Sequence, residues 1–288
     1  MNRTVEVEGR PLALTNLDKV LWPETGTTKA ELLEYYVAVA PALLPHLEGR
    51  PLTLRRFPDG VDGISWHQNE IQSEPEWFPV FETSGRDRRR LRFALVDGLA
   101  SLVWLANQAV IELHPFLWRV DRPRLPDQVV FDLDPGAPAG LVEAARVALQ
   151  LRPRLEELEL EPLAKTSGSL GMHVHARVSA GLDTKRLARE LAEALAEERP
   201  REIVAEMRRD LRPGKVFVDW LQNDVTRQTV APYSLRGLPL PTVATPVSWD
   251  EVEQAVDERR PEPLVFTLRH VLERLEREGD ALAALLET

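Results

Sequence analysis

Apolar positions recur at helical spacing over residues 28–46, where Leu32, Leu33, Tyr36, Ala40 and Leu43 form one stripe behind Thr28 as a cap. Pro41 lies inside this pattern and is expected to kink or break the helix. The pattern then shortens to strand-like runs at 51–57, 77–83 and 91–96, with Gly, Pro and Asp between them, which predicts a sheet with one core-facing side. A second helix is expected over 99–113, leading into His114. After the DRPRLPD break, QVVFDLD is read as a strand ending in the turn Pro135-Gly136. Helices over 141–158 and 183–198 alternate with the strands LAKTS, MHVHARV and VFVDWL. From Ser248 the tail is helical, with a break at Pro261 and Pro263. There is no internal repeat, and a boundary between two lobes is placed near 115–128.

Composition narrows the chemistry. The 288 residues include no cysteine, so a disulfide framework and thiolate metal sites are excluded and any metal must be held by oxygen or imidazole. The formal charge of −10 opposes indiscriminate binding to nucleic acid, so a nucleic-acid site has to be a local basic patch. No apolar run has membrane-spanning length and the N-terminus lacks a secretory h-region, which points to a cytoplasmic protein.

In QVVFDLDPG a strand period of two puts Asp132 and Asp134 on one face and Phe131 and Leu133 on the other. Two carboxylates side by side are costly unless a cation bridges them, and hard divalent ions favour such oxygen ligands. A turn-initiating role before Pro135 would account for Asp134 but not for Asp132. Asp219 is a third acid in an apolar strand. It can complete a two-metal site, or it can pair with Arg212 or Lys215.

KTSGSLGMHVHARV offers Ser167, Gly168, Ser169 and Gly171 between two strands, either as a phosphate cradle or as a Gly-rich hairpin turn; it is not a Walker A loop. His173 and His175 share a strand face, and His173 is assigned a supporting role. Arg212, Gln222, Arg227 and Arg236 flank Asp219 in sequence and can neutralise a triphosphate, or they can be solvated surface.

Taken together, ELH ending at His114, VVFDLDPG, TSGSLGMHV, VFVDWLQN and VAPYSLRG follow one another over most of the chain. The combination resembles the polymerase domain of bacterial DNA ligase D, in the archaeo-eukaryotic primase superfamily, from about Asn16 to near Val252. The resemblance implies an α/β (α+β) fold with a mixed or antiparallel primase-like catalytic sheet flanked by helices, and an N-terminal lobe packed on it. It implies a single domain over 1–288, with a DNA-binding lobe at 1–120 and a catalytic lobe at 121–288. Asp132, Asp134 and Asp219 would then hold two divalent ions, Mn²⁺ or Mg²⁺, for templated nucleotidyl transfer. Ser167, Arg212 and Arg236 would contact the incoming NTP or dNTP, with His114 and Gln222 nearby and ribonucleotides preferred. Lys19 and Lys29 match the pair that recognises a DNA 5′-phosphate at a gap or end.

Some positions depart from the family pattern. Leu170 stands where a lysine is usual, and Trp66-His67-Gln68-Asn69 replaces Phe-Phe-Gln-Lys, keeping an aromatic surface for a template base but losing the lysine. The stretch between His114 and Asp132 is shorter than in some relatives. The five arginines of residues 86–92, Arg88 and Arg89 among them, resemble the loop that brings DNA ends together, and equally suit a solvated hairpin tip. With Lys19, Lys29, Arg55 and Arg56 they are expected to form the DNA-facing side. The chain is thus expected to be a stand-alone, nucleoid-associated polymerase of bacterial non-homologous end joining, working with end-binding and ligase proteins. The competing expectations are a metal-dependent nucleotide phosphohydrolase and a non-catalytic DNA-end binder.

Overall fold

The computed structural model describes residues 3–84 and 89–286. They divide into two units. The first comprises Met1–Asp121, Gln228–Thr242 and Thr267–Gly279; the second comprises Arg122–Arg227, Val243–Phe266 and Asp280–Thr288.

The first unit begins with a hairpin of β1 (Arg3–Val7) and β2 (Arg10–Leu14), then the short pair β3 (Val20–Trp22) and β4 (Thr27–Thr28). Helix α1 (Lys29–Leu47) follows, closed at its start by a capping box in which the Thr28 hydroxyl accepts from the Glu31 N–H and Glu31 accepts from the Thr28 N–H. It runs unbroken through Pro41 and Pro45, so neither proline ends it. Prolines inside a helix cost roughly 3 kcal/mol or more. The buried stripe from Leu32 to Leu47 opposes that cost, helped by Tyr35 and Tyr36, whose hydroxyls donate to Tyr233 O and Ile111 O at 2.8 and 2.6 Å.

A five-stranded antiparallel sheet follows: β5 (Leu52–Arg56), β6 (Trp66–Gln68), β7 (Val80–Ser84), β8 (Arg90–Ala94) and, after helix α2 (Leu99–Asn107), β9 (Val110–Pro115). β5 is its hub, pairing with β6, β8 and β9. The helix expected over 99–113 therefore stops six residues early. Ala109 takes a positive φ of 56°, and the buried run beyond it pairs with β5 instead. Ladder pairing and burial on both faces suit Val110 and Ile111 better than a helix would.

The second unit is built on a six-stranded sheet in the order β13-β14-β10-β12-β11-β15. Its strands are β10 (Gln128–Pro135), β11 (Leu163–Thr166), β12 (Met172–Arg177), β13 (Ile203–Val204), β14 (Val216–Asp219) and β15 (Pro246–Val247). Only β13 and β14 run parallel, so the sheet is mixed and mainly antiparallel, as expected. Helices α3 (Leu141–Glu156), α4 (Thr184–Glu198) and α5 (Trp249–Asp257) belong to this unit, while α6 (Leu268–Glu278) belongs to the first. Val129, Phe131 and Leu133 of β10, Met172, Val174 and Ala176 of β12 and Val216 and Val218 of β14 share one core with α3 and α4. The strand period turns every intervening residue to the other face. Among the described residues no helix is long and apolar enough to cross a membrane.

Candidate functional site

That second face carries the acids. Asp132 is the register partner of Asp219 on one side and of His173 on the other, and His173 is in turn the partner of Lys165. A single row thus crosses four strands as Lys165, His173, Asp132 and Asp219, directly opposed side chains lying about 4.5–5.5 Å apart at Cβ. Lys165 is fully buried and His173 nearly so, and exposure rises toward the acids. Asp134 shares the face two residues along and is exposed. The carboxyl of Asp219 is raised above its ordinary value, first by burial and then by the charge of Asp132.

The acids are turned apart. Asp132 Oδ1 lies 3.3 Å from His173 Nε2, while Asp219 accepts from the Leu221 N–H at 3.1 Å and from Gln222 Nε2 at 3.3 Å. Among the described residues no three acidic or imidazole side chains stand close enough to hold an ion as placed. The donor set nevertheless fits a hard divalent cation: carboxylates on two register partners, one destabilised by the other, with a third on the same face. Asp219 forms no ion pair among the described residues. Arg212 instead donates to Met207 O and stacks its guanidinium 3.7 Å from the centroid of Phe217, the register partner of Asp134, and Lys215 donates to Pro200 O. Strand β14 ends at Asp219, earlier than expected, because a 3-10 turn, Trp220–Asn223, begins there with Asp219 as its cap. Arg227 and Arg212 both act electrostatically on Asp219, and Gln222 touches it.

Two glycines bring loops against the acidic strand. A Cβ on Gly171 would sit 2.4 Å from Leu133 O and 3.6 Å from Asp134 Oδ1, and one on Gly136 would sit 2.3 Å from Arg212 O. Between β11 and β12 the Ser167 hydroxyl accepts from the N–H groups of Ser169 and Gly171, both at 3.2 Å, so it organises the loop. Leu170 is exposed at its tip. His175 bonds Gln128 through Nδ1 at 3.0 Å, within the sheet. Gly171→Ala is expected to push this loop off β10, costing about 1–3 kcal/mol and lowering turnover roughly tenfold; a melting curve beside a rate measurement checks both.

The first unit contains a separate cluster around Glu112, which is 1% exposed. Arg55 Nη1 lies 2.9 Å and Arg236 Nε 3.5 Å from its oxygens, His114 Nε2 lies 2.9 Å away, and the Gly237 N–H donates at 3.0 Å. Burial alone would raise this carboxyl, but the His114 hydrogen bond and the Arg236 charge hold it below the usual carboxylate range. Burial pushes His114 down against the opposing pull of Glu112. A carboxylate only accepts, so the Nε2 of neutral His114 carries the proton and Nδ1 is left as an acceptor. His67 faces the same cluster, its ring centroid 6.0 Å from that of His114.

Lys19 and Lys29 are joined through the backbone, the Lys29 N–H donating to Lys19 O at 2.8 Å. Lys19 pairs with Asp59 at 3.0 Å, whereas Lys29 is buried and donates to Thr15 O at 2.5 Å. Burial, and then the nearby Lys19 charge, lower the Lys29 ammonium to about 8. The unfolded chain therefore holds the extra proton between about pH 8 and the ordinary lysine value, and stability rises with pH across that window. An anion bound at Lys29 favours the charged form, so affinity for a 5′-phosphate is expected to fall as pH rises through about 8. Binding titrations of phosphorylated and unphosphorylated gapped DNA from pH 7 to 9.5 check this; the phosphate-dependent difference should shrink.

Other expected DNA contacts are engaged within the first unit. Arg56 donates to Gln108 and Gln68, and Arg89, Arg90 and Arg92 pair with Glu70, Glu82 and Glu74. Of the arginine run, Arg90 and Arg92 lie on β8, paired with β7. Arg88 lies outside the described residues. Glu112 and Lys165 were not anticipated. Glu112 had a usable signal, since an acid within VIELH is as anomalous as the acid of VFVDWL, whereas Lys165 had none.

A family model described as the LigD primase-polymerase domain matches residues 28–282. The chain is 38% identical over 281 residues to the multifunctional non-homologous end joining protein LigD of Mycolicibacterium smegmatis, covering 94% of this chain and 36% of that protein. It is 30% identical to the bifunctional LigD of Bacillus subtilis, covering 93% and 43% respectively. The chain thus spans well under half the length of these relatives. A solved structure of the polymerase domain from Mycobacterium tuberculosis ligase D in complex with DNA superposes with a TM-score of 0.88 at 36% identity, covering 96% of this chain and 98% of that one.

Proposed function

Since the chain belongs to the LigD primase-polymerase domain family, whose members are metal-dependent nucleotidyltransferases, we propose that it adds nucleotides to DNA ends in non-homologous end joining. The observation that carries this reading is the direct opposition of Asp132 and Asp219 across β10 and β14, with Asp134 on the same face. We assign these three carboxylates as ligands of two divalent ions, Mn²⁺ or Mg²⁺, which when bound would lower the pKa of an attacking hydroxyl and stabilise the pyrophosphate leaving group.

The protein's own groups prepare that chemistry. Asp132 and Asp219 are half-buried register partners whose like charges repel, a cost that a bound cation relieves. His173, its Nε2 3.3 Å from Asp132 Oδ1, holds that carboxylate in line, and the buried Lys165 beyond it supports the row. Ser167 and Ser169 shape a loop whose backbone, kept close to Asp134 by Gly171, is suited to phosphate oxygens. Arg212, held on Phe217, and Arg227 supply positive charge on the acidic face, and Gln222 orients Asp219.

In the first unit, Arg55 and Arg236 around Glu112 are assigned to anionic substrate groups, with His114 close to the nucleotide and His67 beside it. Lys19 and Lys29 are assigned to a DNA 5′-phosphate, which a lysine ammonium suits as a multidirectional donor. We further assign a preference for ribonucleotides over deoxynucleotides, template-directed filling of short gaps, and cooperation with end-binding and ligase proteins.

Product identity tests this reading. With gapped DNA and α-labelled nucleotide, label is expected in an elongated strand, more from NTPs than from dNTPs. Release of inorganic phosphate from the nucleotide without strand growth would favour a phosphohydrolase instead.

A further inference from the structure

Lys165 is among the largest fully buried side chains of the described residues, and it lies on the acidic face of its sheet. Strand β11 alternates, so Ala164 joins the core shared with α3 and α4 while Lys165 turns to the side of His173, Asp132 and Asp219. On its other side the row meets Pro246 of β15, which carries no charge. The ammonium donates to Thr166 O at 3.4 Å, a long bond to a neutral acceptor.

A buried ammonium is unfavourable without negative charge nearby, and a methionine of similar volume would pack there without that penalty. The row supplies negative charge at Asp132, two strands from Lys165, and at Asp219, three strands away. At a strand spacing of about 4.8 Å, Asp132 lies on the order of 10 Å from Lys165 across the sheet. Arg212 and Arg227 also act on Asp219, but they are partly exposed and exposed respectively, so water and salt screen them. A fully buried charge is screened far less.

We propose that Lys165 is a positioning residue for metal, a fixed counter-charge that limits how much divalent charge the three acids hold before a nucleotide binds. Asp132, Asp134 and Asp219 bring three negative charges and Lys165 cancels one, so a single divalent ion matches what remains. A second becomes favourable once a triphosphate adds its own negative charge beside the acids. The inference rests on the reading of these acids as metal ligands, and it makes Lys165 the reason that the site fills only with substrate present.

The sign of the effect separates this from a packing role. A lysine that only propped His173 would, when removed, loosen Asp132 and weaken metal binding. A lysine whose charge opposes the ions gives the reverse: Lys165→Met binds a divalent ion roughly ten- to a hundredfold more tightly, as expected for a charge about 10 Å away at an effective dielectric constant of about 20.

Mn²⁺ titration of the full chain tests this, free ion being followed by electron paramagnetic resonance, with and without a non-hydrolysable NTP analogue and with the analogue alone as the reference. The wild type is expected to bind one ion by itself and two with the analogue. Lys165→Met and Lys165→Gln are expected to bind the first ion at least roughly tenfold more tightly and to take up a second without the analogue, whereas Lys165→Arg should match the wild type. Two ions on the wild type without nucleotide, a count that needs no variant to fold, would overturn the role of Lys165 and leave the metal site standing. So would neutral variants that bind Mn²⁺ no more tightly than the wild type, or a Lys165→Arg protein that behaves as they do. If the wild type binds no Mn²⁺ either alone or with the analogue, the three-acid reading falls and this inference with it.

Discussion

Asp219→Ala is expected to lower nucleotidyl transfer roughly 10³-fold, because loss of a metal-ligating carboxylate forfeits several kcal/mol of charge stabilisation and each 1.36 kcal/mol is a factor of ten. The same substitution should leave stability without added metal within about 1 kcal/mol of the wild type. Two opposing contributions set that figure. The variant loses the bond from the Leu221 N–H, a cap of about 1 kcal/mol, but it also removes a buried carboxylate facing Asp132, which is itself unfavourable. Single-turnover extension and thermal melts with and without Mn²⁺ separate the two effects. The wild type should gain melting temperature on Mn²⁺ addition and the variant should not, since only ion binding to the native state contributes that gain. A variant that melts far lower but retains turnover would mean that Asp219 is a structural cap and no ligand.

Glu112→Ala is expected to act in the opposite sense, by collapsing structure. It strips the acceptor from Arg55, His114, Arg236 and the Gly237 N–H at once. Breaking a buried ion pair from one side costs roughly 3–5 kcal/mol, which for a chain of this size corresponds to a fall of roughly 10 °C in Tm. Glu112→Gln keeps the shape and part of the hydrogen bonding but no charge, so it should be milder in the melt while still weakening transfer. The pH dependence follows from the depressed carboxyl: the stability it contributes is present above the unfolded carboxylate value and is lost as pH falls toward the lower folded value. Acid melts of wild type and Glu112→Gln should converge as the pH drops. A Glu112→Ala protein with an unchanged melt would contradict this role.

Much of the second unit was legible because its signals are local. A period of two fixed which β10 residues face the core, so Asp132 and Asp134 could be paired before any fold was known. Their opposition to Asp219 was not legible, since register depends on the whole sheet closing; the sequence could only count acids in strands. The row from Lys165 to Asp219 was invisible for the same reason. In the first unit the N-terminal hairpin was missed although RTVEV and RPLAL alternate, its turn taking positive φ at both Glu8 (50°) and Gly9 (73°). The misread end of α2 shows a helix period imitated by a short apolar run, which only pairing with β5 could decide. The arginines of residues 89–92 read as a free basic patch because their partners Glu70, Glu74 and Glu82 come from neighbouring strands and loops.

The chemistry itself was carried by motif order, and the geometry adds reasons for particular residues. Gly171 and Gly136 stand where a Cβ would collide with Leu133 O and Arg212 O, so two glycines that read as turn formers are close-approach positions beside the acids.

The central claim is that Asp132, Asp134 and Asp219 carry templated nucleotidyl transfer. The measurement that tests it most directly is primer extension on gapped DNA bearing a 5′-phosphate, with Mn²⁺, comparing the wild type with Asp132→Ala plus Asp134→Ala and recording gap binding by both. The account predicts template-directed extension by the wild type, none by the double variant, and equal binding to the gap. Extension that survives in the double variant, or its absence from a wild type that binds the gap as tightly as the variant, would contradict it.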